Sequence, residues 1–181
     1  LSIRSDLYSK FSDPESVNYE TETVGLGASL SFPLSSNNRI TTKYSLLTSK
    51  TTADDNATSY EKLLSGTSTV SVAGYILSLD NRNSPDKATD GSLLTIEQNL
   101  AGLGGTSNYL ESKISYKKYK KLNRIFTAAI KAQIGSITGY SGKYAPVDQM
   151  FNIGGKNLRG FKYGKIGPIL STSYTGGNYY Y

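Results

Sequence analysis

The feature that most restricts the fold is a long, strict alternation of apolar and small polar residues. Over residues 22–32, Val24, Leu26, Ala28, Leu30 and Phe32 alternate with Thr23, Gly25, Gly27, Ser29 and Ser31. Successive side chains of an extended strand point to opposite faces, so this segment has one oily face and one small polar face, a pattern that no helix reproduces. Residues 126–134 repeat it, with Phe126, Ala128, Ile130, Ala132 and Ile134 opposite Thr127, Ala129, Lys131 and Gln133. Less regular copies cover residues 40–48, 92–100 and 109–119, where Lys43, Glu97, Glu111, Lys113 and Lys117 fall on the non-oily side. Residues 67–80 begin with Val70 and Val72 in phase and change to Tyr75, Leu77 and Leu79. That change of phase predicts a bulge near Ala73 and Gly74. Partial strands at residues 3–11 and 178–181 bring the expected total to about eight.

Alternation alone also suits a soluble β-sandwich, with apolar side chains turned in and polar ones out. Strand length favours a membrane barrel over that reading. The runs of about 9 to 16 residues exceed the five or six usual in globular proteins, whereas about 10 tilted residues cross a bilayer. Residues 33–38 and 121–124 make short turns, while the connections at 12–19, 51–66 and 141–177 are longer and fall on one side. Outer-membrane barrels have this asymmetry, short turns inside and long loops outside, although the connection at 102–107 on the long side is short. The lipid-facing row is then Val24, Leu26, Leu30, Phe32, Phe126, Ile130 and Ile134, and the lumen-facing charges are Lys43, Glu97, Glu111, Lys113, Lys117 and Lys131. Tyr19, Tyr60, Tyr140 and Tyr144, near strand ends, suit an interfacial aromatic girdle or scattered surface positions.

Composition narrows the chemistry. Only 37% of the 181 residues are hydrophobic, thin for a conventional two-layer core, while Gly and Tyr are abundant at 18 and 15 residues. The absence of Cys and His removes disulfides, thiol nucleophiles and the commonest base and metal ligand. No run approaches the roughly 20 apolar residues of a membrane helix, which leaves membrane strands untouched. The net charge of +6 is densest at Lys117, Lys118, Lys120, Lys121 and Arg124, around a turn, and reads as a solvated hairpin end; a nucleic-acid partner is not expected.

Other candidate sites read as ordinary structure. Gly102, Leu103, Gly104 and Gly105 are not followed by the Lys-Ser/Thr of a phosphate loop and read as a β-turn. Asp54, Asp55 and Asn56 lack EF-hand spacing, and Glu97 and Glu111 stand among lysines rather than as a glycosidase pair. No catalytic residue, metal or cofactor is expected. The chain starts at Leu1 without Met or a secretion signal and stops at Tyr181, so both ends read as cut.

Residues 150–168 read MFNIGGKNLRGFKYGKIGP. This segment resembles the conserved external loop of the BamA superfamily through Gly154, Gly155, Leu158, Arg159, Gly160, Phe161, Ile166, Gly167 and Pro168. Asp80, Asn81, Arg82 and Asn83 through Pro85 to Asp90 and Gly91 resemble the family's turn between the eighth and ninth strands, and Gly176, Gly177 and Asn178 its entrance to the twelfth.

The resemblance implies an all-β, antiparallel transmembrane β-barrel, here partial, with residues 1–181 supplying about eight strands of a sixteen-stranded barrel, from the fifth to the start of the twelfth. It implies residence in the bacterial outer membrane, insertion of client β-barrel proteins there, and partnership with the bilayer and accessory assembly lipoproteins. Periplasmic POTRA repeats and the remaining strands would lie elsewhere in such a factor. It further implies a non-enzymatic role in which Arg159 pins the folded-back loop to the inner wall. In physical terms Arg159 offers a planar fork of donors, Gly160 a tight turn and Phe161 an apolar anchor. A TamA-like or two-partner secretion channel shares the loop. A self-contained small barrel, an adhesin or passive pore, is the alternative of another class, and it requires residues 1–11 to pair with the last strand.

Overall fold

A computed structural model describes residues 1–12, 18–59, 62, 65–142, 151, 153–155, 160–162, 166, 169–170, 173–174 and 177–180. Seven long strands follow one another: β1 (Ser2–Ser12), β2 (Tyr19–Pro33), β3 (Asn38–Ala53), β4 (Gly66–Asp80), β5 (Gly91–Gly105), β6 (Tyr109–Lys121) and β7 (Thr127–Gly139). Three two-residue strands complete the set: β8 (Ile169–Leu170), β9 (Ser173–Tyr174) and β10 (Tyr179–Tyr180). One antiparallel sheet runs in the order β1-β2-β3-β4-β5-β6-β7-β10, and β8 pairs with β9 apart from it. Each long strand pairs with its sequence neighbour, as hairpin connections dictate.

The sheet is open, with β1 paired to β2 and β10 to β7 as its two edges. The self-contained barrel required β1 to close against the last strand; among the described residues that pairing does not form.

Directly paired residues share a face, so the registers define two surfaces. On the first, Leu7, Leu26 and Leu46 line up across β1 to β3, and Ile96, Ile114 and Ile134 across β5 to β7. Val24, Leu30, Phe32 and Ile130 lie on this apolar face, and all of them are exposed. Phe126 falls outside β7: its carbonyl accepts from the Leu122 and Asn123 amides to close the β6–β7 turn, and its exposed ring flanks the strand. Along β2 the apolar side chains are the exposed ones and the small polar ones are partly covered. That is the reverse of a water-soluble sheet with a dry core.

Polar side chains on the apolar face engage one another. Tyr44 Oη lies 2.9 Å from Ser71 Oγ, and Tyr75 Oη donates to Gln98 Oε1 at 2.7 Å. Gln98 Nε2 in turn reaches Ser112 Oγ at 3.4 Å. In a bilayer each such group has to find its partner within the protein.

The expected bulge at Ala73 and Gly74 is not found there. β3 and β4 pair without interruption from Thr51 and Gly66 to Asn38 and Leu79. The irregularity lies on β5, where Val70 pairs with Gly105 but Val72 with Ala101. Gly102, Gly104 and Gly105 have φ of 126°, 122° and 104°, which L side chains rarely adopt, so the glycines read as a β-turn are the bulge itself. β5 therefore continues to Gly105, leaving only residues 106–108 to connect it to β6. Tyr140 Oη donates to the Ala101 carbonyl at 2.5 Å beside this bulge. Of the other tyrosines near strand ends, Tyr19 falls on the polar face, and Tyr60 and Tyr144 lie outside the described residues.

Candidate functional site: the polar face and its loop

The second face carries the charges. Lys43, Glu97, Glu111, Lys113, Lys117 and Lys131 all project from it, as their registers require. One cross-strand row runs Lys43, Gly74, Asn99, Glu111, Ile137 over β3 to β7. Lys43 Nζ passes over β4 to Glu97 Oε1 at 2.5 Å, and Asn99 Nδ2 donates to Glu97 Oε1 at 3.2 Å and Glu111 Oε2 at 2.6 Å. One amide thus bridges two carboxylates, and one ammonium balances the first.

Gly74 makes this network possible. A Cβ there would stand 2.5 Å from the Gln98 carbonyl oxygen and would collide with Asn99 Oδ1. That oxygen is buried and has no hydrogen-bond partner among the described residues, a cost the two donated bonds offset. The network was only half legible in sequence: the charges were visible, while Asn99 and Gly74 carried no signal of their own.

Next to the network, the same face has an apolar patch. Val70, Ala101, Tyr109 and Ile137 are buried, with Val72 and Phe151 packed against them. Phe151 belongs to the long connection between β7 and β10, so the connection comes back over the polar face. It is tied there by an antiparallel bridge between Phe151 and Gly177, with Gly177 N donating to Phe151 O at 3.0 Å. Asn178 Oδ1 accepts from Ile137 N at 2.7 Å, and Ile153 bridges Ile166.

The motif itself is partly described. Gly154 is buried, and Gly155 N donates to Phe161 O at 2.7 Å, closing a turn. Gly160 has φ of 92° and Phe161 is exposed. Among the described residues of this connection it is Phe151 that packs on the apolar patch, a residue sequence reading passed over because a lone Phe has no periodicity. Leu158, Arg159, Gly167 and Pro168 lie outside the described residues.

At the opposite end of β4, Arg82 grips Asp80 in a two-pronged ion pair, Nη2 to Oδ2 at 2.7 Å and Nε to Oδ1 at 2.8 Å. Its third arm holds the Pro85 carbonyl at 3.0 Å. The hydrogen bonds to the Asp80 carboxylate raise the Arg82 guanidinium pKa above its ordinary value. Asn83 Oδ1 accepts from the Thr89 and Asp90 amides, so the residues resembling the family turn form a self-bonded loop. Among the described residues no group of three His, Cys, Asp or Glu is placed to hold a metal ion.

Comparison with known proteins agrees with this architecture. The fold is similar to that of BamA from Haemophilus ducreyi lacking POTRA domains 1-3, with a TM-score of 0.86 at 20% identity, covering 98% of this chain and 40% of that one. In sequence, the sorting and assembly machinery component 50 homologues of Homo sapiens and Bos taurus are 31% and 30% identical over 121 residues, 65% of this chain. The chain spans 25% of the length of these relatives. The Omp85 superfamily domain matches residues 1–181 from end to end. An open, lipid-suited antiparallel sheet with a returning loop on its polar face is thus joined to a full-length family match, and the chain belongs to the Omp85 superfamily of outer-membrane β-barrels.

Proposed function

We propose that this chain forms part of the barrel of an assembly factor that inserts and folds client β-barrel proteins in the outer membrane, acting without catalysis, nucleotide or cofactor. It supplies about strands five to twelve of a sixteen-stranded barrel, with periplasmic POTRA repeats and the closing strands contributed by the rest of the factor. The apolar face, with Val24, Leu26, Leu30, Phe32, Ile130 and Ile134, meets lipid. The polar face, with Lys43, Glu97, Glu111, Lys113, Lys117 and Lys131, lines the lumen. Client strands and accessory lipoproteins are the partners, and unpaired strand edges in the completed barrel template clients by β-augmentation.

The observation that carries this reading is Phe151 seated on the apolar patch of the polar face. It places Phe151 of the long connection on the lumen side, and in this reading the Arg159 guanidinium holds the same connection against the wall. The relatives are named as components of a sorting and assembly machinery, which favours assembly over polypeptide secretion. Arg159→Ala in the full-length protein tests the proposal: outer-membrane protein levels should fall, or the barrel's mobility on unheated gels should shift. Unchanged assembly and mobility would count against it.

A further inference from the structure

The β6–β7 hairpin carries both charge and apolar surface at its tip. From Ser112 to Gly139 the chain has no Asp or Glu, while Lys117, Lys118, Lys120, Lys121 and Arg124 crowd the turn. Along the apolar face of β6 the side chains run Ile114, Tyr116, Lys118, Lys120, with Lys118 opposite Ile130 and Lys120 opposite Ala128 on β7. Aliphatic, then aromatic, then cationic is also the order in which a bilayer presents core, interface and headgroups. Lys120 lies 3.4 Å from Asp90 in an exposed pair, whereas Lys118 and Arg124 have no ion pair among the described residues.

The turn itself is well tied. Asn123 Oδ1 accepts from the Ile125 and Phe126 amides at 2.9 and 2.7 Å, and the Phe126 carbonyl accepts from the Leu122 and Asn123 amides. On this frame Leu122, Ile125 and Phe126 stand 66%, 84% and 62% exposed. Three large apolar side chains displayed beside long basic ones make an amphipathic surface that water alone does not satisfy.

We propose that the β6–β7 turn docks in the headgroup layer of the membrane through Leu122, Ile125 and Phe126, and selects anionic phospholipids there through Lys118, Lys120 and Arg124. The apolar side chains enter the acyl boundary, and the ammonium and guanidinium groups reach the phosphodiesters of lipids with net negative charge. Lipid is the occupant because Lys118 and Lys120 continue the strand face of Ile114 and Tyr116, so whatever meets those side chains meets the turn next. The proposal rests on the barrel reading above, because it needs the apolar face to meet lipid.

The chain contains no Trp, so Phe126→Trp in the full-length protein sets a fluorescent reporter at the turn, read as emission in excess of the parent's. The protein is refolded in phosphatidylcholine vesicles containing brominated phosphatidylglycerol or brominated phosphatidylcholine at equal fractions. The anionic quencher should associate with the reporter about threefold or more strongly than the zwitterionic one, and adding Lys118→Gln with Arg124→Gln should bring that ratio to about one. Lys117→Gln, on the polar face, should leave it unchanged. Gel mobility of unheated samples confirms that each variant has folded. Equal quenching by the two lipids, a ratio that survives the paired swap, or an equal fall with Lys117→Gln would overturn the proposal. A second reporter, Ile134→Trp on the apolar face, separates it from the barrel reading. If that site is quenched while the turn is shielded from both lipids, the turn belongs to a protein neighbour and only the docking proposal fails; if neither site is quenched, the barrel reading fails with it.

Discussion

Lys43 and Glu97 sit on strands that are not neighbours, yet their Nζ and Oε1 atoms are 2.5 Å apart, reaching over β4, where Gly74 is the register partner of Lys43 and Ile76 that of Glu97. The pair is only partly exposed, and Asn99 extends it to Glu111, so β3, β5 and β6 are tied across a strand that contributes no side chain at that point.

The first prediction follows from that gap. Gly74→Val places carbon against the Gln98 carbonyl and the Asn99 side chain, and should cost about 1–3 kcal/mol of barrel stability, read as a shifted urea midpoint in lipid vesicles. Gly27→Ala, where an added Cβ meets only Tyr44 O at 3.6 Å and Ser45 Cβ at 3.9 Å, should stay within about 0.5 kcal/mol of the parent. Equal effects at the two glycines would mean the network does not depend on the space above β4.

Phe151 joins the returning loop to the wall by packing on Val70, Ala101, Tyr109 and Ile137. Phe151→Ala should cost about 1–3 kcal/mol, less than a fully buried Phe, and should speed protease cleavage within residues 143–177 of the folded protein. Phe161→Ala, at an exposed position, should leave cleavage near the parental rate. The reverse ranking would return the anchor to Phe161.

Neighbouring residues on β7 test the assignment of faces. Ile130 and Lys131 are adjacent in sequence and project from opposite faces. Ile130→Arg should cost about 2–4 kcal/mol near mid-membrane, falling toward zero at the interface, whereas Lys131→Arg should cost almost nothing. Folding titrations in vesicles measure both. A tolerant Ile130 would argue that this face does not meet lipid.

Alternation in the sequence by itself determined the strands, their two faces and which charges share one of them, because a period of two is a local property of each strand and survives without knowledge of its neighbours. It also carried the family likeness, through residues 150–168. What only the tertiary structure decided depends on pairing between distant segments. Val70 and Val72 look out of phase with Tyr75, Leu77 and Leu79 in β4, which suggested a bulge in β4 itself. The strand is regular, and its apolar residues change face because the polar face there holds an apolar patch, Val70 within it and Val72 and Phe151 packed against it. Likewise the bulge sits in β5, Lys43 reaches Glu97 across β4, and the sheet is open among the described residues. Each of these is set by hydrogen-bond register and by what a loop more than sixty residues away in sequence brings to the surface, and no local pattern of polarity encodes either.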